Sequence, residues 1–263
     1  MEEIVGGWDC YTYLVNRIWI FQLPRPAAAH GWFAGQIRLL RRLKGRLPSA
    51  IPELQFICEE PLCLGYRRID GKPAACMAKG EWPESLGAFL RSLHSIDPSE
   101  TGLPLSTASD WRKLNQQLIQ EFRDRVVPLL TPKEKQSAES MFSVFTEDRT
   151  LLELSPVLVH RDLGPEHILV TEEGRLAGVI DWGDARLGDP AIDFSWLLFG
   201  LPKEGARALR AYGATSNLAL CRRALFYHQL GPWHEVTHGI DTKQPTVVAS
   251  GLAGVRARLL IVR

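Results

Sequence analysis

The segment 160–184 constrains the fold of this chain more than any other, because it alternates short apolar runs with acidic loops. Its letters HRDLGPEHILVTEEGRLAGVIDWGD include HILV and LAGVID, which are short and end in polar residues, as β-strands do. The polar stretch between these runs predicts a hairpin over residues 168–181. Such a hairpin would return Asp181 to the neighbourhood of Asp162 and His167, so these three side chains are expected to meet.

These three residues have the order of a phosphoryl-transfer site. In a kinase catalytic loop, H-R-D is followed by four spacers and an Asn that binds metal, and a second metal-binding aspartate comes later. Here His167 takes the Asn position, and Asp181 follows Asp162 by 19 residues. We predict that Asp162 is the catalytic base and that His167 and Asp181 bind Mg²⁺. Because hard cations prefer oxygen, His167 could instead bind a metal-bound water or have only a structural role.

Other polar residues around this segment have structural interpretations. We expect His160 to brace the loop and Arg161 to be a surface charge. Asp184 is compatible with either a structural or a functional role. Asp189 and Asp193 are expected to cap helices and tie down the loop that follows, with Asp193 also a candidate for facing substrate.

The rest of the chain predicts an α+β, two-lobed, protein-kinase-like fold with a small β-rich N-terminal lobe and a larger, mostly helical C-terminal lobe. The N-terminal lobe is expected over 1–69, and the C-terminal lobe over 70–263. Apolar runs rich in β-branched and aromatic residues predict four N-terminal strands, over residues 11–15, 17–24, 51–58 and 62–69. The apolar stripe of the intervening helix is Gln36, Leu40, Leu43 and Leu47.

Several helix boundaries also follow from the pattern. The helix between the second and third strands is expected from about Ala27 until Pro48 stops it. Asp110 is the expected cap of a helix that buries a stripe of leucines and other apolar residues, namely Leu114, Leu118, Phe122 and Val126. Thr131 is the expected N-cap of the next helix, with Glu134 completing a capping box.

Composition excludes several classes of protein. The formal net charge is +1, so no strong field favours nucleic acid or an anionic membrane. The five cysteines form no C-x-x-C pair and are expected to be free and mostly buried. No apolar run approaches the roughly 20 residues of a membrane span, and the acidic start MEEIVGG is unlike a signal peptide. We therefore predict a cytoplasmic protein with neither nucleic acid nor membrane as a partner.

The segments HRDLGPEHILV and GVIDWGDARLGDPAIDF resemble the aminoglycoside phosphotransferase family, and weaker similarity extends over most of the chain. The resemblance implies a kinase that moves the γ-phosphate of ATP or GTP to a hydroxyl of a small molecule, such as an aminoglycoside, another antibiotic, a sugar or an amino alcohol. It also implies that the hinge backbone near Arg67 and Ile69 reads the purine. The oligomeric state is left unassigned.

The sequence departs from this family at two positions of the nucleotide lobe. Gln22 stands where a basic side chain is expected to contact the phosphates, and Gln36 stands where its acidic partner is expected. Because an unpaired buried amide costs a few kcal/mol, we predict a hydrogen bond between Gln22 and Gln36. An alignment error of one or two residues would be the other explanation. The glycines Gly6 and Gly7 precede the first strand without forming a G-x-G-x-x-G motif.

The missing charges leave a second functional class open. A neutral amide cannot offset phosphate charge, so weakened nucleotide affinity or turnover is expected unless Arg25 or Lys79 compensates. The alternative to an active kinase is therefore a pseudoenzyme, a kinase-fold module that binds nucleotide without turning it over. Retention of both Asp162 and Asp181 favours the enzyme. From residue 203 to the end, the sequence has nine basic residues and three acidic ones, and this excess of positive charge argues mildly against a polycationic acceptor.

Overall fold

The structure, a computed structural model of the chain, describes residues 1–4, 9–25, 30–76, 79–148 and 154–260. The chain forms two compact units. Unit 1 consists of residues 1–105, 157–187 and 203–215, and unit 2 consists of residues 106–156, 188–202 and 216–263. The predicted fold class is confirmed, because a β-rich N-terminal part precedes a mostly helical remainder. The lobe boundary between residues 69 and 70 stays a prediction.

Unit 1 begins with an antiparallel sheet of five strands in the order β1-β2-β3-β5-β4. The four strands predicted from the apolar runs are confirmed, and they pair antiparallel, β2 with β3 and β4 with β5. The strands are β1 Glu2–Ile4, β2 Cys10–Val15, β3 Trp19–Pro24, β4 Leu54–Glu59 and β5 Leu62–Arg67.

Helix α1, His30–Leu43, packs on this sheet. Phe33 and Ile37 of the helix form a core with Ile20, Leu64 and Tyr66 of the strands. Burial of such apolar side chains stabilises the fold by about 1.5–3 kcal/mol each.

The predicted C-terminal end of α1 at Leu47 is wrong. The helix ends at Leu43, and Gly45 then takes a left-handed φ of +71°, which glycine adopts without steric cost. The predicted start near Ala27 lies outside the described residues, as do Gly6 and Gly7. Within the helix, the predicted buried stripe of Gln36, Leu40 and Leu43 is confirmed.

Unit 1 also contains the hairpin predicted over 168–181. Strands β8 Ile168–Val170 and β9 Leu176–Val179 pair antiparallel, and β6 Lys72–Pro73 adds to β8. A separate two-stranded sheet contains β7 Val157–Val159 and β10 Arg186–Gly188.

Two helices of unit 1 approach each other very closely. They are α2, Trp82–His94, and α6, Pro202–Tyr212. A Cβ at Gly87 would lie 2.2 Å from the Ala208 carbonyl oxygen, so only glycine allows this approach. At the rim of the contact, Arg207 donates to both carboxylate oxygens of Glu84 at 2.7 Å.

Unit 2 is a set of helices around an aromatic core. The helices are α3 Ala108–Arg125, α4 Pro132–Glu147, α5 Ser195–Gly200, α7 Leu218–Asp241 and α8 Pro245–Leu259. The Trp233 ring lies 5.5 Å from that of Phe122 and 5.3 Å from that of Phe142, between centroids, and Phe145 stacks on Phe226 at 3.6 Å. Burying such rings contributes both area and specific ring geometry to stability.

Of the two predicted N-terminal caps in unit 2, one is confirmed and one is wrong. Thr131 caps α4 and forms the predicted capping box with Glu134. The prediction that Asp110 caps α3 is wrong. Thr107 is the N-cap, and Asp110 is the third helical residue, whose carboxylate accepts from the Thr107 amide. Because Thr and Asp are both good caps, the pattern did not separate these two arrangements.

The predicted buried face of α3 is also wrong in part. Leu114 is 39% exposed, whereas Trp111, Asn115 and Ile119 are buried. Phe122 belongs to both faces and is buried as expected. Trp111 meets the ring of Tyr227 edge to face at 5.9 Å, a tertiary contact that the periodicity of the helix alone cannot reveal.

The cysteines are more exposed than the sequence predicts. All five cysteines are free, but the expectation that they are mostly buried is wrong, because Cys58 and Cys76 are exposed and the other three are half-buried. Among the described helices, none has the length and apolar character that a membrane crossing requires.

Candidate active site

The loop that begins at His160 is held in place by buried contacts in unit 1. His160 is fully buried, and one ring nitrogen, Nε2, lies 2.9 Å from the Ile180 carbonyl oxygen. Its ring meets that of Trp182 edge to face at 4.9 Å, and the indole nitrogen of Trp182 donates to the Val179 carbonyl. These contacts agree with the expected bracing role of His160, and they fix the start of the loop relative to the end of strand β9.

Asp162, His167 and Asp181 converge at the end of this hairpin, as the sequence predicts. His167 Nδ1 lies 2.7 Å from the Asp162 carbonyl oxygen and 3.4 Å from its carboxylate oxygen Oδ2. On its other side, His167 Nε2 lies 3.6 Å from Asp181 Oδ2. The imidazole therefore stands between the two carboxylates.

Backbone conformation at the site is unusual. Arg161 and Asp181 have left-handed φ angles of 73° and 63°, which non-glycine residues rarely adopt. Each such conformation typically costs about 1–3 kcal/mol and persists only where surrounding contacts enforce it. Here Arg161 immediately precedes Asp162, and Asp181 is itself one of the three residues of the site.

Burial and neighbouring charges shift the pKa values of Asp162 and His167. Loss of hydration raises the pKa of Asp162, and the charges of Asp181 and Asp184 add to this effect, while His167 and His160 oppose it. For His167, loss of hydration lowers the pKa, but Asp181 and Asp162 outweigh it, so the net pKa lies above its usual value. Such mutual shifts of neighbouring titratable groups are typical of functional sites.

The hydrogen bond to a backbone carbonyl also defines the tautomer of His167. A carbonyl oxygen can only accept, so Nδ1 must carry a proton, and in the neutral ring Nε2 then has a free lone pair. That lone pair is on the side of Asp181. A backbone carbonyl that orients a histidine in this way is a common arrangement in metal sites.

Asp181 and His167 fit a magnesium ion only as a partial set of ligands. Within the described ranges, no group of three or more His, Cys, Asp or Glu side chains is arranged to hold a metal. Mg²⁺ is usually held by one or two carboxylates, with water and substrate phosphates completing its shell. Asp181, whose side chain is 46% exposed, meets this requirement, while the imidazole of His167 is a less favoured ligand.

Two arginines beside the loop share one aspartate, an arrangement that the sequence did not predict. Arg161 Nη1 and Arg186 Nη2 both donate to Asp184 Oδ1, at 3.0 and 3.1 Å. Burial lowers the pKa of Arg186 to about 10, and the nearby Arg161 contributes. The expectation that Arg161 is a surface charge is therefore wrong, because its side chain is 23% exposed and ion-paired. The opposite charges in HRD (160–162) and GDAR (183–186) could have indicated an ion pair between the two loops.

Gln22 and Gln36 form the contact predicted from the sequence. Gln36 Nε2 donates to Gln22 Oε1 at 3.4 Å, and both residues are buried. This contact supports the alignment of these two positions. Among the residues that the structure describes, Gln36 Oε1 has no hydrogen-bond partner, so the pair leaves one buried acceptor unsatisfied.

The predicted purine-reading residues lie at the end of β5 and in the loop that follows. The Arg67 amide donates to Gln55 Oε1 at 3.2 Å. Ile69 lies in the loop, half-buried against the catalytic hairpin, where a Cβ at Gly178 would be 3.1 Å from Ile69 Cγ2. The same Cβ would be 2.6 Å from the Ala50 carbonyl oxygen, so Gly178 permits a close approach from both segments.

The sequence of this chain is similar to those of known phosphotransferases. The model of a phosphotransferase enzyme family, APH, matches residues 1–227 of the chain. Viomycin phosphotransferase of Streptomyces vinaceus is 29% identical over 259 residues, which cover 92% of this chain and 87% of that protein. The protein YcbJ of Bacillus subtilis (strain 168) is 24% identical over 214 residues, which cover 74% and 67% of the two chains.

Solved structures share the fold. The GDP complex of wild-type aminoglycoside 2'-phosphotransferase-IIIa has a TM-score of 0.86 and 22% identity, and the match covers 98% of this chain and 91% of that chain. Macrolide 2'-phosphotransferase type I has a TM-score of 0.77 and 22% identity, with coverages of 96% and 89%. At such identities, the likeness establishes the fold alone.

Because the family model spans most of its length, the chain belongs to the APH phosphotransferase family. The predicted resemblance and the predicted enzyme class, a phosphotransferase, are both confirmed. The pseudoenzyme alternative receives no support from these relatives.

Proposed function

We propose that this enzyme transfers the γ-phosphate of ATP or GTP to a hydroxyl group of a small molecule of the antibiotic type. The observation that carries this proposal is the placement of His167 between the carboxylates of Asp162 and Asp181, 3.4 and 3.6 Å away. Phosphoryl transfer needs little covalent chemistry from the protein. It needs a group that orients the acceptor hydroxyl and a means of offsetting phosphate charge.

In this proposal, Asp162 orients the acceptor hydroxyl and accepts its proton. Its side chain is 54% exposed, so an acceptor can reach it from solvent. Asp181 and His167 would hold Mg²⁺, which when bound offsets the negative charge of the nucleotide phosphates. His160 and Trp182 keep the two loops together, because their buried contacts join the start of one loop to the other.

The nucleotide is proposed to bind at the N-terminal strands and the hinge. Relatives of this fold were solved as complexes with GDP and with ADP, which supports a purine nucleotide without choosing between ATP and GTP. We propose that the backbone from Arg67 to Ile69 reads the purine. Gln22 and Gln36 occupy the positions of the usual charged pair, so we expect weaker phosphate binding than an ammonium would provide.

Antibiotic-like acceptors are favoured by the relatives, which include enzymes named for viomycin, aminoglycosides and macrolides. The excess of basic residues from residue 203 onward is a weaker objection to a cationic acceptor than the sequence suggested. Four of the nine basic residues form ion pairs with acidic residues that precede residue 203. These pairs are Arg207–Glu84, Arg222–Asp148, Arg223–Asp189 and Arg256–Glu134.

The proposal is tested by nucleotide consumption with a panel of acceptors. The protein is incubated with Mg²⁺ and ATP or GTP in the presence of viomycin, aminoglycosides, macrolides and sugar amines. We expect acceptor-dependent release of ADP or GDP with at least one member of the panel. Replacement of Asp162 by Asn should lower this turnover about 10²–10⁴-fold, the usual contribution of a general base.

A matched control separates loss of chemistry from loss of structure. Asp124 is exposed on helix α3, where it accepts a hydrogen bond from Gln120, so Asp124→Asn should leave turnover unchanged. Nucleotide affinity of the Asp162→Asn variant should also be retained. Mg²⁺-nucleotide binding without turnover of any acceptor, or full turnover by the Asp162→Asn variant, would contradict the proposal.

A further inference from the structure

Two cysteines, Cys58 and Cys63, lie directly opposite each other in the β4–β5 hairpin. The strand register pairs Cys58 with Cys63 and, one step further along, Ile57 with Leu64. Ile57 and Leu64 face the core of unit 1. Because successive side chains of a strand alternate between its faces, the two cysteines share the opposite face of the hairpin.

The spacing of such a pair suits a covalent bond between the thiols. Directly opposed residues of an antiparallel pair have Cα atoms about 4.5 or 5.5 Å apart, and disulfides span Cα separations of about 4.4–6.8 Å. The Cys58 thiol donates a hydrogen bond to the Glu60 carbonyl oxygen at 3.3 Å, which a bond with Cys63 would replace. Closure of a disulfide therefore requires rotation of side chains and no change of register.

The two thiols differ in their access to solvent. Cys58 lies on the edge strand β4 and is exposed, whereas Cys63 lies on β5 and is half-buried. Burial raises the pKa of Cys63, and the neighbouring Cys58 raises it further. A reagent in solution therefore reaches Cys58 first, and Cys63 remains a thiol until its neighbour has reacted.

The remaining cysteines provide internal comparisons. Cys10 stands opposite Pro24 in the β2–β3 hairpin, so its cross-strand neighbour has no thiol. Cys76 is exposed in the short 3₁₀ turn 74–76, and Cys221 is half-buried in helix α7. Cys76 is therefore the exposed cysteine with which the reactivity of Cys58 can be compared.

We propose that Cys58 and Cys63 form a reversible cross-strand disulfide by exchange with a low-molecular-weight disulfide such as oxidised glutathione. The Cys58 thiolate attacks one sulfur of that disulfide, which breaks the S–S bond and releases one small thiol. Cys63 then loses its proton and attacks the Cys58 sulfur, which releases the second small thiol. Two protein thiols are thus oxidised by two electrons while one small disulfide is reduced to two thiols.

The test uses the full chain, reduced and then equilibrated with glutathione buffers of increasing oxidised fraction. Free thiols are alkylated, and the products are mapped by peptide mass. We expect a cross-linked segment 58–63 whose mass is lower by two hydrogens, and no glutathione on Cys58. Addition of a reducing dithiol should restore both alkylation sites. Cys76 should not be cross-linked to Cys58 or Cys63.

Two variants make the outcome decisive. In Cys63→Ser, exchange should stop after its first step, so Cys58 should accumulate as a mixed disulfide with glutathione. In Cys76→Ser, closure between Cys58 and Cys63 should occur at the same buffer composition as in the wild type. Thermal unfolding of each reduced variant checks its fold. The peptide mapping of the wild type tests the proposal even if a variant fails to fold. The proposal is overturned if wild-type Cys58 accumulates the mixed disulfide as Cys63→Ser does, or if both thiols stay free in fully oxidised glutathione.

Discussion

The buried contact between Gln22 and Gln36 should contribute measurably to the free energy of unfolding. Gln36 Nε2 donates to Gln22 Oε1 at 3.4 Å, and the other oxygen, Gln36 Oε1, has no partner among the described residues. Replacing Gln22 by Leu would remove the acceptor of Gln36 Nε2, so that both the nitrogen and the oxygen of the buried Gln36 amide would lack a hydrogen bond. Leaving the buried donor unsatisfied costs about 1–3 kcal/mol. Replacing Gln36 alone leaves Gln22 Oε1 without its donor, at a similar cost.

The double variant should behave differently from the sum of its parts. Leucine is close to glutamine in size, and replacement of both members of a buried polar pair by apolar groups is often nearly neutral. It also removes the acceptor that is already unsatisfied. We therefore expect the Gln22→Leu/Gln36→Leu variant to unfold close to the wild type, so the coupling energy between the two substitutions should equal the sum of the two single costs, about 2–6 kcal/mol.

Urea unfolding of the four proteins measures this coupling, provided that the dependence of unfolding free energy on urea is the same in all four. The matched control combines Gln22→Leu with Gln120→Leu, since the Gln120 side chain bonds Asp124 on its own helix. That pair should be additive within about 0.5 kcal/mol. If Gln22→Leu and Gln36→Leu were equally additive, the two amides would not interact, and the reasoning would be refuted.

Three further predictions address charge. Gln22→Lys combined with Gln36→Glu should tighten Mg²⁺-nucleotide binding, measured by calorimetry, and unchanged affinity would contradict the assignment of these positions. Asp189→Asn should lower stability by about 3–5 kcal/mol in thermal unfolding, because Asp189 accepts a buried ion-paired hydrogen bond from Arg223 at 2.6 Å; an unchanged melting temperature would contradict this. Burial lowers the pKa of His228 from 6.5 to about 4, and a nearby guanidinium adds to the shift. Its neutral form is favoured in the folded state, so the stabilisation is complete above pH 6.5 and is lost as the pH falls towards 4. Between pH 7 and pH 5 the wild type should lose about 2 kcal/mol more than His228→Gln, and parallel pH profiles of the two proteins would refute this.

The predictions that succeeded depend on local rules. The hairpin over 168–181 follows from two apolar runs and a polar turn. Because its two strands pair antiparallel, Asp181, just beyond the end of the second strand, lies beside the residue before the first, His167. The contact between Gln22 and Gln36 was predictable because both positions lie on apolar faces, where an amide must find a partner.

The predictions that failed depend on long-range packing or on equivalent local choices. The buried face of α3 is set by the contacts of Trp111 and Ile119, which no spacing within the helix reveals. Thr107 and Asp110 are both acceptable caps, and the capping box uses them together. The ion pair of Arg161 with Asp184 joins residues on two separate loops, so it appears only once the hairpin has closed.

A crystal structure with Mg²⁺ and a non-hydrolysable ATP or GTP analogue tests the central claim most directly. We predict a metal ion about 2.0–2.1 Å from a carboxylate oxygen of Asp181, the distance that magnesium requires, and a γ-phosphate that faces Asp162. His167 should contact the metal or one of its waters. A nucleotide whose phosphates lie away from Asp162 and Asp181, with the metal held by other residues, would contradict the account.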